Sequence, residues 1–212
     1  MSLESAIQHG IDALGLRLPA GAVPRLAAYI ALLARWNRAY NLTAVREPAE
    51  MVGKHILDSL AILPWLQGPT VLDVGSGAGL PGIPLAIARP DLAFTLLDSS
   101  GKRTRFMEQA VTELGLVNVH VVWSRVEDYR PEAAFACVVS RAFASLADML
   151  VLAGRLCAAG GCLLAMKGQR PEDELRTLPP GYRLLGVEPL AVPGLDAERC
   201  LVRLAPAGAA ER

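Results

Sequence analysis

The chain is short of the residues that metal and thiol chemistry require. Its 212 residues include three histidines and four cysteines. Cys137, Cys157, Cys162 and Cys200 lack metal-ligand spacing and stand mostly in apolar surroundings, so they read as reduced, buried thiols suited to the cytoplasm. His9 and His120 have no acidic or thiol neighbours at ligand spacing, and His55 reads as a structural hydrogen-bonder in a helix; no metal site is expected. Membrane features are missing too. No apolar run reaches the length of about 18 residues that a span needs. Met1-Ser2-Leu3-Glu4 offers no basic region ahead of an apolar stretch, so no signal peptide is expected. There is no internal repeat and no net charge, which argues against a protein that coats nucleic acid but leaves room for a local basic patch.

What is present is a globular composition, 52% hydrophobic and 20% charged, with 19 glycines. Four of those glycines organise the chain. Thr70 to Pro84 reads Thr-Val-Leu-Asp-Val-Gly-Ser-Gly-Ala-Gly-Leu-Pro-Gly-Ile-Pro. Val71, Leu72 and Val74 form a short apolar run of the kind that makes a strand buried on both faces. Gly75, Gly77, Gly79 and Gly82 permit a tight turn, and Ile83, Leu85, Ala86 and Ile87 start a buried helix whose first turn tolerates Pro81 and Pro84. Strand, glycine turn and helix form a nucleotide-binding arrangement. A second apolar run, Phe94 to Leu97, ends at Asp98, nineteen positions after Gly79. An acid about 20 residues past the glycines is placed to bond ribose hydroxyls.

The glycine stretch parses two ways. Gly77 to Gly82 is G-x-G-x-x-G, a dinucleotide fingerprint; Asp73 to Gly79 is D-x-G-x-G-x-G, the first motif of S-adenosylmethionine-dependent methyltransferases. A pyrophosphate on a helix N-terminus has no use for a carboxylate beside it. A cofactor carrying an ammonium and a sulfonium does, which favours the second parse and a role for Asp73.

The flanking pattern fits. Leu3 to Leu14 is a weak amphipathic helix, Val23 to Tyr40 the strongest helical stripe, and Glu50 to Leu63 a third helix, so residues 1–66 form a helical cap. Residues 67–205 alternate strand and helix, which implies a parallel sheet covered on both faces. Expected strands are Val117 to Trp123, Phe135 to Val139 and Cys162 to Met166. Gly160-Gly161 is read as a turn, and Tyr182 to Leu190 with Arg199 to Leu204 as a closing antiparallel pair. Residues 206–212 read as a frayed tail.

The chain resembles the bacterial 16S rRNA guanine-N7 methyltransferase G family, also called glucose-inhibited division protein B. The matching stretches are Asn41-Leu42-Thr43-Ala44, His55 to Leu60, Leu72 to Pro84, Leu97-Asp98-Ser99 with Lys102-Arg103, Ser124 to Glu127, Ser140 to Ala144 and Lys167-Gly168. They occur in the family's order and span most of the chain. The resemblance implies a Rossmann-like class I methyltransferase: an α/β fold with a doubly wound, mostly parallel seven-stranded sheet. It implies S-adenosyl-L-methionine as cofactor, with contacts from Asp73, Gly75, Gly77, Leu80, Asp98, Val126, Glu127 and Arg141. It implies 16S rRNA of the small ribosomal subunit as partner, with Lys102, Arg125, Lys167 and Arg199 suited to the RNA, and a cytoplasmic protein expected to be a monomer.

The chemistry agrees by what the loops lack. Enzymes that methylate exocyclic amines commonly carry Asn/Asp-Pro-Pro-aromatic after the fourth strand; this chain has Ser140-Arg141-Ala142-Phe143. Guanine N7 offers a free lone pair, so no general base is nominated. Arg141 can meet guanine O6, a phosphate or the cofactor, and the resemblance favours the cofactor. Phe143 can stack on the base or simply pack in the core. Two other functions share these residues: a nicotinamide oxidoreductase through the dinucleotide parse, and a non-catalytic RNA-binding module.

Overall fold

A computed structural model describes residues 2–141, 143 and 145–207. The chain opens with α1 (Leu3–Ala13), whose Ser2 hydroxyl caps the Ser5 N–H, and α2 (Ala22–Tyr40), which stops where Asn41 turns left-handed at φ 49°. Leu26, Tyr29, Ile30 and Leu33 bury the α2 stripe as its spacing predicts. Its last turn emerges: Trp36 stacks on the exposed Tyr40 with centroids 5.1 Å apart.

The third expected helix is a composite. α3 (Pro48–Met51) widens into a π-helical turn, Val52–Leu57, and tightens again as α4 (Asp58–Leu60). Such widened turns are rare and recur at functional sites; this one carries Lys54 and His55 and delivers Asp58.

The rest alternates as the pattern requires: β1 (Thr70–Val74), α5 (Gly82–Ala88), β2 (Ala93–Asp98), α6 (Gly101–Leu114), β3 (Val119–Trp123), β4 (Phe135–Ser140), α7 (Leu146–Ala153), β5 (Cys157–Lys167), α8 (Glu172–Arg176), β6 (Tyr182–Pro189) and β7 (Cys200–Pro206). The seven strands lie in the order β3-β2-β1-β4-β5-β7-β6. β1 pairs in parallel with both β2 and β4, whereas β7 runs antiparallel between β5 and β6. The order reverses between β1 and β4, and ligands of open α/β sheets bind at such a switch point, beyond the carboxyl ends of the strands.

Side-chain parity assigns the two faces. Val71, Leu96, Cys137, Val139 and Leu164 join the helices from α1 to α6 in one core. Leu72, Leu97, Val138, Leu163 and Val202 pack on the other face against Leu146, Met149 and Leu150 of α7. Thus the N-terminal helices share a core with the sheet. Asp73 has the parity of Val71, so it points under the helical layer.

One expectation is corrected. Gly160-Gly161 is no turn between elements; β5 runs through it. The register jumps from Phe135↔Cys157 to Cys137↔Cys162, Gly160 has φ +79°, and a Cβ on Gly161 would sit 2.7 Å from the Ala136 carbonyl oxygen. The pair forms a bulge against β4, which glycine alone accommodates. The expected tail 206–212 begins at the last residue of β7, and 208–212 lie outside the described residues.

Candidate active site

The glycine turn leaves β1 at the switch point and is tied down from three sides. The N–H groups of Gly75 and Ser76 both donate to the Leu97 carbonyl, at 2.8 and 3.1 Å. Tyr29 of α2 donates its hydroxyl to the Ala78 carbonyl at 2.6 Å, and burial pushes the Tyr29 pKa well up, keeping it a donor. Asp73 Oδ2 accepts the Gly82 N–H at 2.9 Å. Gly75, Gly77 and Gly79 all have positive φ, which explains the glycine spacing. Gly82 has a different reason: a Cβ there would lie 2.2 Å from Leu96 Cδ2 and 2.8 Å from Asp73 Oδ2.

Beyond this turn opens a cleft of about 250 Å³, the scale of a nucleoside. Gly75 lines it from the turn, Asp98, Ser99 and Arg103 from the end of β2 and the start of α6, and Ser124 to Glu127 from the loop after β3. Phe143 closes it. Asp98 accepts the N–H groups of Gly77 and Ser100, each at 2.8 Å, and stands 3.6 Å from Arg103. Arg155 holds the far wall, donating through Nη2 to the carbonyls of Val126 and Tyr129 at 2.7 and 2.9 Å. Apolar Val126 and Phe143 beside a fixed carboxylate suit an adenine ring and ribose hydroxyls, so the donor set fits S-adenosylmethionine.

A second, larger pocket of about 510 Å³ lies on the other side of the loop after β4. Its polar lining is Lys54, His55, Asp58, Arg141, Lys167 and Arg199, with Met166, Leu190 and Leu195 among its apolar walls. Asp58 anchors it: Oδ2 meets Arg141 Nη1 and Oδ1 meets Arg199 Nε, each at 3.1 Å. Lys167 pairs with Glu174 at 3.1 Å. His55 is nearly buried, with Nε2 2.9 Å from the Thr43 hydroxyl and Nδ1 without a hydrogen-bond partner among the described residues. Burial, above all, lowers its pKa, so the ring is neutral near pH 7. The buried Asn37 shapes this edge by donating to the carbonyls of Thr43 and Val45 and accepting the Thr43 N–H.

The nominated residues therefore divide. Gly75, Asp98, Val126 and Glu127 line the cleft at the glycine turn, and so does Arg125, nominated for RNA. Asp73, Gly77 and Leu80 do not: Gly77 turns its N–H to Asp98, Leu80 is core, and Asp73 is fully buried beneath the turn. Burial lifts the Asp73 pKa to about 7, and its Oδ1 has no partner among the described residues. Arg141 faces the second pocket together with Lys167 and Arg199. Lys102 is exposed and donates to the Tyr40 carbonyl at 3.0 Å, away from both. Phe143 lines the cleft at the glycine turn.

Three features escape sequence reading. Asp58 sat inside a matching stretch but its two arginines lie 83 and 141 positions away. Arg155 carries no motif. Cys200 stands in the wall of the second pocket, where burial raises its pKa and the thiol points to the Gln169 carbonyl at 3.5 Å, which suits it poorly to act as a nucleophile. Among the described residues no group of three or more His, Cys, Asp or Glu can hold a metal, and no helix is long and apolar enough to cross a membrane.

Known proteins match this architecture. A glycopeptide N-methyltransferase complexed with S-adenosylmethionine superposes with a TM-score of 0.62 at 12% identity, covering 73% of this chain and 88% of that one. A S-adenosylmethionine-dependent methyltransferase from Thiobacillus denitrificans, bound to S-adenosylhomocysteine, gives 0.52 at 16% identity, covering 71% and 90%. These likenesses identify the class I methyltransferase fold. Sequence relatives are far nearer. The ribosomal RNA small subunit methyltransferase G of Alkalilimnicola ehrlichii is 54% identical over 197 residues, 93% of this chain and 90% of that one. That of Serratia proteamaculans is 54% identical over 203 residues, 95% and 98%. The model of the family described as rRNA small subunit methyltransferase G matches residues 22–202. The dinucleotide parse of the glycines falls with these matches: the chain belongs to the rRNA small subunit methyltransferase G family, S-adenosylmethionine-dependent enzymes that methylate ribosomal RNA.

Proposed function

We propose that this methyltransferase directs the methyl group of S-adenosylmethionine to N7 of one guanine in 16S rRNA, as a cytoplasmic monomer acting on the small ribosomal subunit. The observation that carries the proposal is the pair of pockets divided by the loop after β4, with Arg141 on one side and Phe143 on the other. One pocket has the polarity of a nucleoside site; the other is basic and suits an anionic acceptor. When bound, the cofactor supplies an electrophilic methyl group. Asp98 is placed to accept ribose hydroxyls, and Gly75 gives backbone access to the remainder of the ligand. Asp73 acts through the Gly82 N–H to hold the glycine turn in shape.

On the acceptor side, the residues position and neutralise. Guanine N7 has an available lone pair, so catalysis rests on orientation and on the electrostatics of a ring that becomes cationic. No proton need be removed, which agrees with a pocket whose carboxylate, Asp58, is already engaged by two guanidinium groups. We take residues 1–66 as a helical extension of the methyltransferase domain 67–205 that supplies Lys54, His55 and Asp58 to the acceptor wall.

The test is incubation with labelled S-adenosylmethionine and 30S particles from a strain lacking this gene, followed by borohydride–aniline cleavage at N7-methylguanine. A single new cleavage site in 16S rRNA, absent with Asp98→Ala, is expected. Labelled RNA without such cleavage would move the methyl group to another atom.

A further inference from the structure

Family membership and methyl transfer leave Asp58 without a task, yet its setting is unusual. The side chain is 2% exposed and is shared by two arginines from distant parts of the chain. It stands on α4; Arg141 follows β4 and Arg199 precedes β7. A buried carboxylate is costly unless it is paired, and here two cations meet it, one on each oxygen.

Neither guanidinium group is saturated by the bonds it makes. The bonds to Arg141 fall on Nη1, which also reaches the Lys54 carbonyl at 3.4 Å. Those to Arg199 fall on Nε and on Nη1, which meets the Glu198 carbonyl at 2.8 Å. The Nη2 group of each has no partner among the described residues, and both side chains keep more than a quarter of their surface exposed, at 29% and 27%. A guanidinium is a rigid planar fork of five donors; bonds through its other nitrogens fix the plane and leave the Nη2 group to meet an oxyanion. The remaining cations of the pocket, Lys54 and Lys167, are paired on their own flanks with Glu50 and Glu174.

We propose that Asp58 is a positioning residue: its buried carboxylate holds Arg141 and Arg199 side by side as a two-pronged clamp for a phosphate of the RNA next to the target nucleotide. This rests on the reading of the larger pocket as the RNA acceptor side. It assigns Arg141 to the acceptor and gives the carboxylate no contact with the reacting atoms.

The experiment is steady-state methylation of 30S particles by Asp58→Asn, which keeps the side-chain shape and removes its charge. The KM for the particle is expected to rise about tenfold, the loss of one charge-assisted contact. The kcat should stay within about threefold, and S-adenosylhomocysteine should bind as in the wild type. The slope of log KM against log salt should become shallower by about 0.7–0.9, the share of one phosphate. Arg141→Lys and Arg199→Lys keep the charge but lose the fork; each should raise KM with Asp58 intact, which covers the case in which Asp58→Asn does not fold. A KM and salt slope like the wild type's in the folded Asp58→Asn protein, or in both lysine variants, would overturn the proposal. So would a loss confined to kcat or to the melting temperature. Methylation by the wild type at an atom other than guanine N7 would refute the proposed target atom while the KM comparison still decides the clamp. A wild-type protein that does not bind the particle would sink both.

Discussion

The proposed cofactor cleft and the proposed acceptor pocket lie on either side of one loop and are built in opposite ways. The cleft is assembled from neighbours in sequence. Its glycine turn, Asp98 and the loop after β3 arrive within some fifty positions, each at the end of consecutive parallel strands. Backbone groups hold it: N–H donors to Asp98, to Leu97 and to Asp73. The acceptor pocket gathers side chains from the π-helical turn, the loop after β4, the end of β5 and the start of β7 around one carboxylate. The first is a local backbone device, the second a long-range charge device. The difference implies that damage to each should show in a different binding constant.

Gly82→Ala strikes the backbone device hardest. Its Cβ would overlap Leu96 and Asp73, so stability should fall by about 3 kcal/mol, read by urea unfolding. A fall under 1 kcal/mol would mean α5 can slide away, and the turn is less rigid than described. Next, Asp98→Ala should weaken S-adenosylhomocysteine binding about 100-fold, from two charge-assisted bonds at roughly 1.5 kcal/mol each, by calorimetry. RNA affinity should be little changed. Equal losses of both would erase the distinction between the two sites.

Asp73 sharpens the comparison through pH. Its pKa is raised to about 7 by burial, so the folded protein holds this proton more tightly than the unfolded chain. The resulting stability is complete below the ordinary carboxylate pKa and is lost as pH rises through about 7. His55 has the opposite sign: its lowered pKa means stability lost as pH falls below its ordinary 6.5. Comparing wild type with Asp73→Asn isolates the first effect. The stability difference should shift by about 2 kcal/mol in favour of the variant between pH 5 and pH 7. A difference that is flat with pH would show that Asp73 is ionised in the folded protein.

The same contrast explains what was legible in the sequence. The cleft could be read because its signals are short-range: glycines where φ must be positive, an acid a fixed distance later, apolar runs of strand length. That reading extended to a parallel sheet covered on both faces with a closing antiparallel pair, since alternating strands and helices leave few topologies. It says less of residues beneath the turn: Asp73, expected to touch the cofactor, is buried and accepts the Gly82 N–H, and Gly82, expected in the turn, has no room for a Cβ against Leu96 and Asp73. The acceptor pocket could not be read because no local pattern tells that Asp58, Arg141 and Arg199 share one point in space. The bulge at Gly160-Gly161 was missed for a related reason: the demand for glycine comes from the Ala136 carbonyl on another strand.

The most direct test is calorimetric titration of S-adenosylhomocysteine into the wild type, Asp98→Ala, Arg141→Ala and Arg199→Ala, each paired with a measurement of 30S affinity. Two separate sites predict that Asp98→Ala alone loses the cofactor, while both arginine variants bind it within about threefold of wild type and lose the particle. Loss of cofactor binding in Arg141→Ala on the scale of Asp98→Ala would place that arginine on the cofactor and contradict the division of the site described here.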